Sequence, residues 1–160
     1  MSARINYSQL SSSAVKGLYA VEAALKETTV PRTLIDMIKI RVSQLNGCAF
    51  CLDMHSKEAK IHGEKEIRLY HVSIWHESPL FSAKEKAAFR WAEVLTKISG
   101  EGASEQEFNA VREHFTDDKE LSDLTMAIAS INAWNRLGVA FRSEPGSLDK
   151  MLGLDKAGLS

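Results

Sequence analysis

Apolar side chains recur at spacings of three and four residues along the chain, and no segment alternates strictly between apolar and polar residues. This spacing gathers apolar side chains on one face of an α-helix, whereas a half-buried strand needs a period of two. The clearest example contains Leu34, Ile38, Val42 and Leu45. No Asn-Gly or Asp-Gly pair joins two β-rich runs. The pattern therefore predicts an all-α fold.

Start and stop signals divide the chain into about seven helices. Pro31 suits the first turn of the second helix, and Asn46-Gly47 is typical of its end. Capping-box patterns at residues 82–85 and 104–107 open the fifth and sixth helices. The tail up to residue 160 is expected to be an ordered arm or a loose end. The predicted helices span about residues 8–26, 31–45, 48–62, 65–76, 82–99, 104–115 and 119–142.

The length of 160 residues fits one domain over residues 1–160, without repeats or a linker. Its 20 Lys and Arg nearly balance its 21 Asp and Glu, which argues against a basic face for nucleic acid. No apolar run reaches the roughly 18 residues of a transmembrane helix, and the N-terminal residues lack the apolar stretch of a signal peptide. Two cysteines are too few for a disulfide-scaffolded secreted protein. We therefore expect a cytoplasmic domain that binds neither nucleic acid nor membrane.

The two cysteines lie three positions apart, and a histidine follows the second by four positions. At about 100° per residue, Cys51, His55 and His62 lie about 60°, 20° and 40° from Cys48 on one helix face. Side chains three apart are about 5–6 Å from each other, within reach of a disulfide. The pair can thus cycle between dithiol and disulfide. A neighbouring imidazole and a helix N-terminus both favour the reactive thiolate.

Two other roles for these cysteines stay open. Cys48, Cys51 and His55 could supply three of four zinc ligands, with the fourth from another histidine or an acid. His62 is a poor fourth ligand, because it lies about 21 Å along the helix axis from Cys48. The cysteines could also be small, inert core residues. A c-type haem is excluded because Leu52 follows Cys51, and a thioredoxin fold because no strand precedes the pair.

Residues 34–55 resemble the core of the AhpD-like alkylhydroperoxidases, within the carboxymuconolactone decarboxylase superfamily. The segment S-Q-x-N-G-C-x-x-C-x-x-x-H carries the resemblance, and softer matches continue at residues 63–69, at Trp75 and at residues 131–137. The resemblance covers about residues 5–145, with a redox core at about 31–77. It implies a helical subunit that assembles into trimers or hexamers.

The resemblance also implies a thiol-dependent peroxidase of the alkyl hydroperoxide reductase type. Cys51 would attack a hydroperoxide and become a sulfenic acid, and Cys48 would resolve it as a disulfide. His55 would act with an acidic residue twelve positions before the first cysteine in a proton relay, and that residue is Asp36. No cofactor is expected. A dithiol such as lipoamide, or a small redox protein, would regenerate the pair.

The chain departs from the family pattern at two site positions. Asp36 stands where a Glu is usual and is one methylene shorter, although a bridging water could span the difference. It can equally be a first-turn aspartate favoured by the helix dipole after Pro31. Phe50 stands where some members carry a histidine.

The alternative function is a non-catalytic thiol–disulfide sensor or metal-binding protein.

Several polar residues lie on the otherwise apolar final helix. A solvated face is the simplest interpretation of Asn132, Asn135 and Arg136, and hydrogen bonding to the cysteine helix or a neighbouring subunit is the functional one. His62 is a minor site candidate, because it lies about two turns beyond His55. The three tryptophans are expected to pack in the core or between subunits.

Overall fold

A computed structural model describes residues 3–98, 100 and 102–159 of the chain. Within these residues there are nine α-helices, three short 3₁₀-helices and no strand, which confirms the all-α prediction for this part of the chain. The 3₁₀-helices are Leu25–Glu27, Val72–Ile74 and Leu154–Ala157. The α-helices are α1 (Tyr7–Leu10), α2 (Ser12–Ala24), α3 (Arg32–Asn46), α4 (Ala49–Ile61), α5 (Glu66–His71), α6 (Ala83–Thr96), α7 (Glu105–Arg112), α8 (Asp118–Phe141) and α9 (Asp149–Leu152).

Seven of the described helices have six or more residues and match the seven predicted ones, whereas α1 and α9 have four residues each. The predicted first helix is divided into α1 and α2. The predicted fourth helix is shorter, because α5 ends at His71 and continues as a 3₁₀-turn. The predicted end of the fifth helix at Ser99 lies outside the described residues, and α6 ends at Thr96.

Side-chain caps explain where α6 and α7 begin. Ser82 and Glu85 form the predicted capping box of α6, in which each side chain binds the backbone of the other. Ser104 accepts a hydrogen bond from the Glu107 backbone N–H at 3.3 Å. The Glu107 carboxylate binds Arg90 on α6, so only one half of the second predicted box forms. An ion pair to the neighbouring helix therefore replaces the other half.

Helix α3 is the centre of the fold, because it packs against α4, α6 and α8. Nine of its residues are buried, and each fully buried apolar side chain among them stabilises the fold by roughly 1.5–3 kcal/mol. The buried set includes two charged residues, Asp36 and Lys39. Gly47 ends the helix in the left-handed conformation with φ 67°, which confirms the predicted stop. The chain then turns directly into α4.

Helix α8 lies behind α3 and α4 and corrects the expectation of a solvated polar face. Asn135 is fully buried. Its side chain accepts a hydrogen bond from Asn46 at 2.9 Å and donates one to Ser43 at 3.1 Å. Asn135 is buried because α8 covers the end of α3. A buried amide needs hydrogen-bond partners, and Asn46 and Ser43 supply them. Arg136, one position further, is exposed as predicted.

The segment that follows α8 is an ordered arm, up to residue 159, and residue 160 lies outside the described residues. Leu154 and Ala157 are buried in it. Lys57 of α4 binds Asp53 at 2.8 Å and Asp149 of the arm at 2.7 Å, which ties the arm to α4. Across the described ranges, no helix combines the length and the apolar character needed to cross a membrane.

Candidate redox site

The two cysteines lie at the beginning of α4. Cys48 is the N-cap, with φ −88° and ψ 92°, and its Sγ accepts a hydrogen bond from the Cys51 backbone N–H at 3.3 Å. Cys51 lies in the first turn of the helix. The helix therefore begins one residue later than predicted. The partial positive charge of its N-terminus favours a thiolate at either sulfur.

A disulfide joins Cys48 to Cys51, with the two Cα atoms 5.4 Å apart. This separation is within the ordinary range for disulfides, which confirms that the helix start can hold the oxidised pair. Each cysteine is only 2% exposed. A disulfide of so short a loop does little to restrict the unfolded chain. Its placement fits a redox role better than a stapling one.

The two cysteines differ in their contact with a cavity. Cys51 lines a cavity, together with Phe50. Both sulfurs lie close to Gly138 of α8, and the Sγ of Cys48 is the closer of the two. An N-cap residue does not have helical backbone angles, so the helical-wheel position predicted for Cys48 does not apply to it. Three of the four residues predicted on one face, Cys51, His55 and His62, do line the cavity.

The cavity has a volume of about 1270 Å³. Its walls come from the N-terminal segment, α2, α3, α4, α8 and the C-terminal arm. This volume exceeds the roughly 300–1,000 Å³ of ordinary ligand pockets, so it is far larger than hydrogen peroxide requires. The apolar part of the wall includes Tyr7, Tyr19, Leu25, Ile35, Met54, Trp134, Leu148 and Met151.

The first charged pair on the cavity wall is His55 with Glu58, one turn apart on α4. His55 Nδ1 donates to Glu58 Oε2 at 2.6 Å, so Nε2 is the ring nitrogen that this contact leaves free for proton exchange. His55 is buried. Burial of the Glu58 carboxyl opposes ionisation, but the hydrogen bond and charge of His55, with Lys39 and His62 nearby, lower the pKa of Glu58 to about 2. Glu58 is therefore a carboxylate at any physiological pH.

The second pair is His62 with Asp36, and it joins α4 to α3. His62 Nδ1 donates to Asp36 Oδ2 at 2.5 Å. Asp36 is 4% exposed. Burial raises the pKa of Asp36 above its ordinary value, although the hydrogen bond and charge of His62 oppose this shift. Asp36 therefore lies in the cavity wall as a carboxyl that binds its proton more tightly than an exposed aspartate does.

A third charged pair lines the same cavity. Lys39 of α3 binds Glu22 of α2 at 2.5 Å, and Ser130 of α8 donates to Glu22 at 2.6 Å. Burial opposes ionisation of Glu22, but the charge and hydrogen bond of Lys39 outweigh it and lower the pKa of Glu22. Lys39 also helps to lower the pKa of Glu58. The ion pair and the Ser130 hydrogen bond thus link α2, α3 and α8 beside the cavity.

Sequence reasoning missed three of these wall residues: Glu22, Lys39 and Glu58. Glu58 has a local signal, since an acid three positions after a histidine lies on the same helix face. Glu22 and Lys39 lack such a signal, because they belong to different helices. Across the described residues, no cluster of three or more His, Cys, Asp or Glu side chains has the arrangement to hold a metal ion.

The chain matches the model of the carboxymuconolactone decarboxylase family over residues 14–94. It is also 38% identical over 147 residues to the uncharacterized protein YdfG of Bacillus subtilis, covering 92% of this chain and 99% of YdfG. The matched segment contains α3, α4 and both histidine–carboxylate pairs.

Solved structures share the fold. A protein of unknown function from Agrobacterium tumefaciens, suggested to be an antioxidant defence protein AhpD, is 40% identical with a TM-score of 0.85. The match covers 90% of this chain and 98% of that one. The debrominase Bmp8 in complex with 2,3,4-tribromopyrrole has a TM-score of 0.73 at 15% identity, covering 88% of this chain and 74% of its own. At that identity the likeness concerns the fold alone.

Proposed function

Because the chain belongs to the carboxymuconolactone decarboxylase family and is AhpD-like within it, we propose that it is a thiol-dependent peroxidase. Cys51 is the nucleophile, Cys48 the resolving thiol, His55 the base and Asp36 a proton relay. One observation carries the proposal. Cys51 is paired with Cys48 at the beginning of a helix and lines the same cavity as two histidine–carboxylate pairs.

The first step is attack of the Cys51 thiolate on one oxygen of a hydroperoxide, ROOH. The S–O bond forms as the O–O bond breaks, and the leaving RO⁻ takes a proton to become the alcohol ROH. Cys51 becomes a sulfenic acid, so its sulfur is oxidised by two electrons. The N-terminus of α4 stabilises the attacking thiolate.

The second step closes the disulfide. The Cys48 sulfur attacks the sulfenic sulfur of Cys51, and the hydroxyl leaves as water with a proton. The N–H of Cys51, which binds Cys48 Sγ at 3.3 Å, also stabilises a thiolate at Cys48. An external dithiol, such as dihydrolipoamide or a small redox protein, then returns two electrons and two protons to the pair and is itself oxidised to a disulfide.

The two histidine–carboxylate pairs accept and donate the protons of these steps. His55, held by Glu58 through Nδ1, keeps Nε2 available to take the proton of the Cys51 thiol. Asp36 and His62 form a second proton-carrying pair on the same wall. The raised pKa of the buried Asp36 suits a group that holds a proton and passes it on. The resemblance to the family implies Asp36 as the acidic partner of His55. In this chain the carboxylate that binds His55 is Glu58.

The substrate we propose is an organic hydroperoxide rather than hydrogen peroxide alone. The cavity of about 1270 Å³ has an extended apolar wall beside the charged groups around Cys51. An alkyl or aryl group can bury its surface there, which is favourable by roughly 25 cal/mol per Å². The peroxy group can then face Cys51.

We also propose that the enzyme is a cytoplasmic homo-oligomer, a trimer or hexamer. Large apolar side chains are exposed on the single subunit, among them Leu10 at 75%, Met151 at 68% and Tyr70 at 65%. Contact with other subunits would cover such side chains. The cytoplasm supplies the dithiols that the cycle needs.

The test compares Cys51→Ser with Cys48→Ser, the same change three positions apart. Consumption of cumene hydroperoxide is measured with dihydrolipoamide as the electron donor. Cys51→Ser should lose at least about 1,000-fold in kcat/KM, because it removes the nucleophile. Cys48→Ser should still react once and accumulate a sulfenic acid that dimedone traps. If Cys51→Ser consumes the peroxide as fast as the wild type, the proposed mechanism is wrong.

The same assay distinguishes the alternative function. A redox sensor would form one disulfide per subunit and then stop, even with dithiol in excess. The burial of both cysteines, each 2% exposed, is the observation that favours this alternative, because it slows access of a reductant. Many turnovers per subunit support the enzyme, whereas a single turnover supports the sensor.

A further inference from the structure

Gly138 lies in the last turn of α8, three residues before the helix ends at Phe141. It is buried, and its backbone has ordinary helical angles, so no left-handed turn requires a glycine there. Glycine inside a helix destabilises it by comparison with alanine. A glycine in such a place indicates that something approaches the backbone too closely for a side chain.

The close neighbours of Gly138 are the two sulfurs of the redox pair. A Cβ atom built at this position would lie 2.8 Å from Cys48 Sγ and 3.3 Å from Cys51 Sγ. The next atom, Cδ1 of Phe50, is 3.9 Å away. Carbon atoms in good contact are about 3.5–4.0 Å apart, and sulfur is larger than carbon. The space between residue 138 and the disulfide therefore has no room for a methyl group.

We infer that Gly138 is a positioning residue that sets the balance between the disulfide and the dithiol. In the disulfide, a covalent bond ties each sulfur to the other, so neither can rotate away from α8 alone. In the dithiol, each side chain selects its own rotamer, and the Cys48 sulfur can leave the space beside residue 138. A methyl group at this position therefore destabilises the disulfide more than the dithiol.

This inference deepens the proposed function and rests on it only in requiring that the pair cycles reversibly. The equilibrium concerned is protein disulfide plus reduced dithiothreitol, giving protein dithiol plus cyclic oxidised dithiothreitol. Two electrons and two protons pass from the reagent to the protein. Peroxide takes no part in this exchange. The position of the equilibrium therefore tests residue 138 separately from peroxidase activity.

The experiment compares Gly138→Ala with Gly17→Ala in mixtures of reduced and oxidised dithiothreitol. Gly17 lies inside α2, and a Cβ there would meet nothing within 4 Å, so it is a matched control for the same added methyl. Gly138→Ala should shift the equilibrium toward the dithiol about tenfold, which is about 30 mV, and Gly17→Ala should not shift it. A shift of less than about threefold for Gly138→Ala, or any shift toward the disulfide, overturns the inference.

A second comparison keeps the inference falsifiable if Gly138→Ala folds poorly. Cys48→Ala removes the sulfur nearest to the added methyl, so Gly138→Ala should lower the thermal midpoint much less in that background than in the oxidised wild type. Equal losses in both backgrounds, or failure of the double variant to fold while Cys48→Ala folds, overturns the inference. If the equilibrium shifts as expected and no variant consumes peroxide, the proposed function fails and the inference stands.

Discussion

Two histidine–carboxylate pairs lie on one wall of the same cavity, and they differ in how they are built. His55 and Glu58 belong to one helix and are one turn apart, with Nδ1 and Oε2 separated by 2.6 Å. His62 is the C-cap residue after α4 and Asp36 belongs to α3, with Nδ1 and Oδ2 separated by 2.5 Å. The carboxylate side chain is 28% exposed in the first pair and 5% exposed in the second. The two pairs therefore have similar contact distances, but their carboxylates differ in solvent exposure.

The carboxyl pKa therefore shifts in opposite directions in the two pairs. For Glu58, burial is outweighed by His55 and by further positive groups at Lys39 and His62, so its pKa falls to about 2. For Asp36, burial is the stronger effect and the pKa rises. Glu58 is thus a carboxylate hydrogen-bonded to His55, whereas Asp36 is a carboxyl that binds a proton more readily than an exposed aspartate does. A short distance between histidine and acid does not by itself assign the role.

The largest expected difference between the pairs is in activity. His55→Asn should lower kcat/KM for cumene hydroperoxide by at least about 100-fold, because it removes the proposed base for the Cys51 thiol. His62→Asn, the same substitution at the C-cap of the same helix, should lower it by less than about tenfold. Steady-state kinetics with dihydrolipoamide measure both. Equal losses for the two variants would show that the pairs are not functionally distinct.

Loss of the Glu58 carboxylate should reduce both stability and activity. Lowering a carboxyl pKa from 4.5 to about 2 corresponds to roughly 3 kcal/mol of stability at neutral pH. Glu58→Gln should therefore lower the free energy of unfolding at pH 7 by about 2–3 kcal/mol. It should also lower kcat/KM about ten- to a hundredfold, since His55 loses its charged partner. Urea unfolding measures the stability.

The pH dependence of that loss checks its cause. A carboxyl whose pKa is depressed on folding stabilises the protein above its unfolded pKa, and the contribution is lost as the pH falls through the folded pKa. The wild type should thus lose the Glu58 contribution between about pH 4.5 and about pH 2. The stability of Glu58→Gln and the wild type should converge over that window. A constant difference down to pH 2 would contradict the assigned cause.

The sequence alone predicts the helices and the redox pair because both depend on local spacing. Leu34, Ile38 and Val42 share one face of α3 through the helical period, and Gly47 ends that helix through its freedom to adopt a positive φ. The spacing of Cys48 and Cys51 likewise allows the disulfide that the structure contains, although the sequence left a zinc site and inert cysteines open. Each of these features is decided within a few residues of chain.

The partners of the site residues could not be predicted in the same way. Asp36 and His62 are 26 positions apart, and their contact depends on how α3 packs against α4. The burial of Asn135 depends on Asn46 and Ser43, which are 89 and 92 positions away. The sequence identifies these residues only as polar positions in helices. Which of them are in contact depends on how the helices pack.

The smallest expected effect is that of Asp36→Asn, and its sign is opposite to that of Glu58→Gln. A carboxyl whose pKa is raised on folding contributes its stability below the unfolded pKa and loses it as the pH rises through the folded pKa. At neutral pH the buried Asp36 therefore disfavours folding, and a neutral amide of similar shape relieves this cost. Asp36→Asn should raise the free energy of unfolding at pH 7 by up to about 1 kcal/mol, or about 2–4 °C in Tm.

The advantage of Asp36→Asn should disappear when the solution is acidified below the ordinary aspartate pKa, because the wild-type carboxyl is then protonated in both states. Activity should fall by less than about tenfold, since His55 keeps Glu58 as its partner. Thermal unfolding of the variant and the wild type across this pH range measures the effect. A loss of stability at pH 7 would mean that the ion pair with His62 outweighs burial at Asp36. The two histidine–carboxylate pairs would then be electrostatically alike.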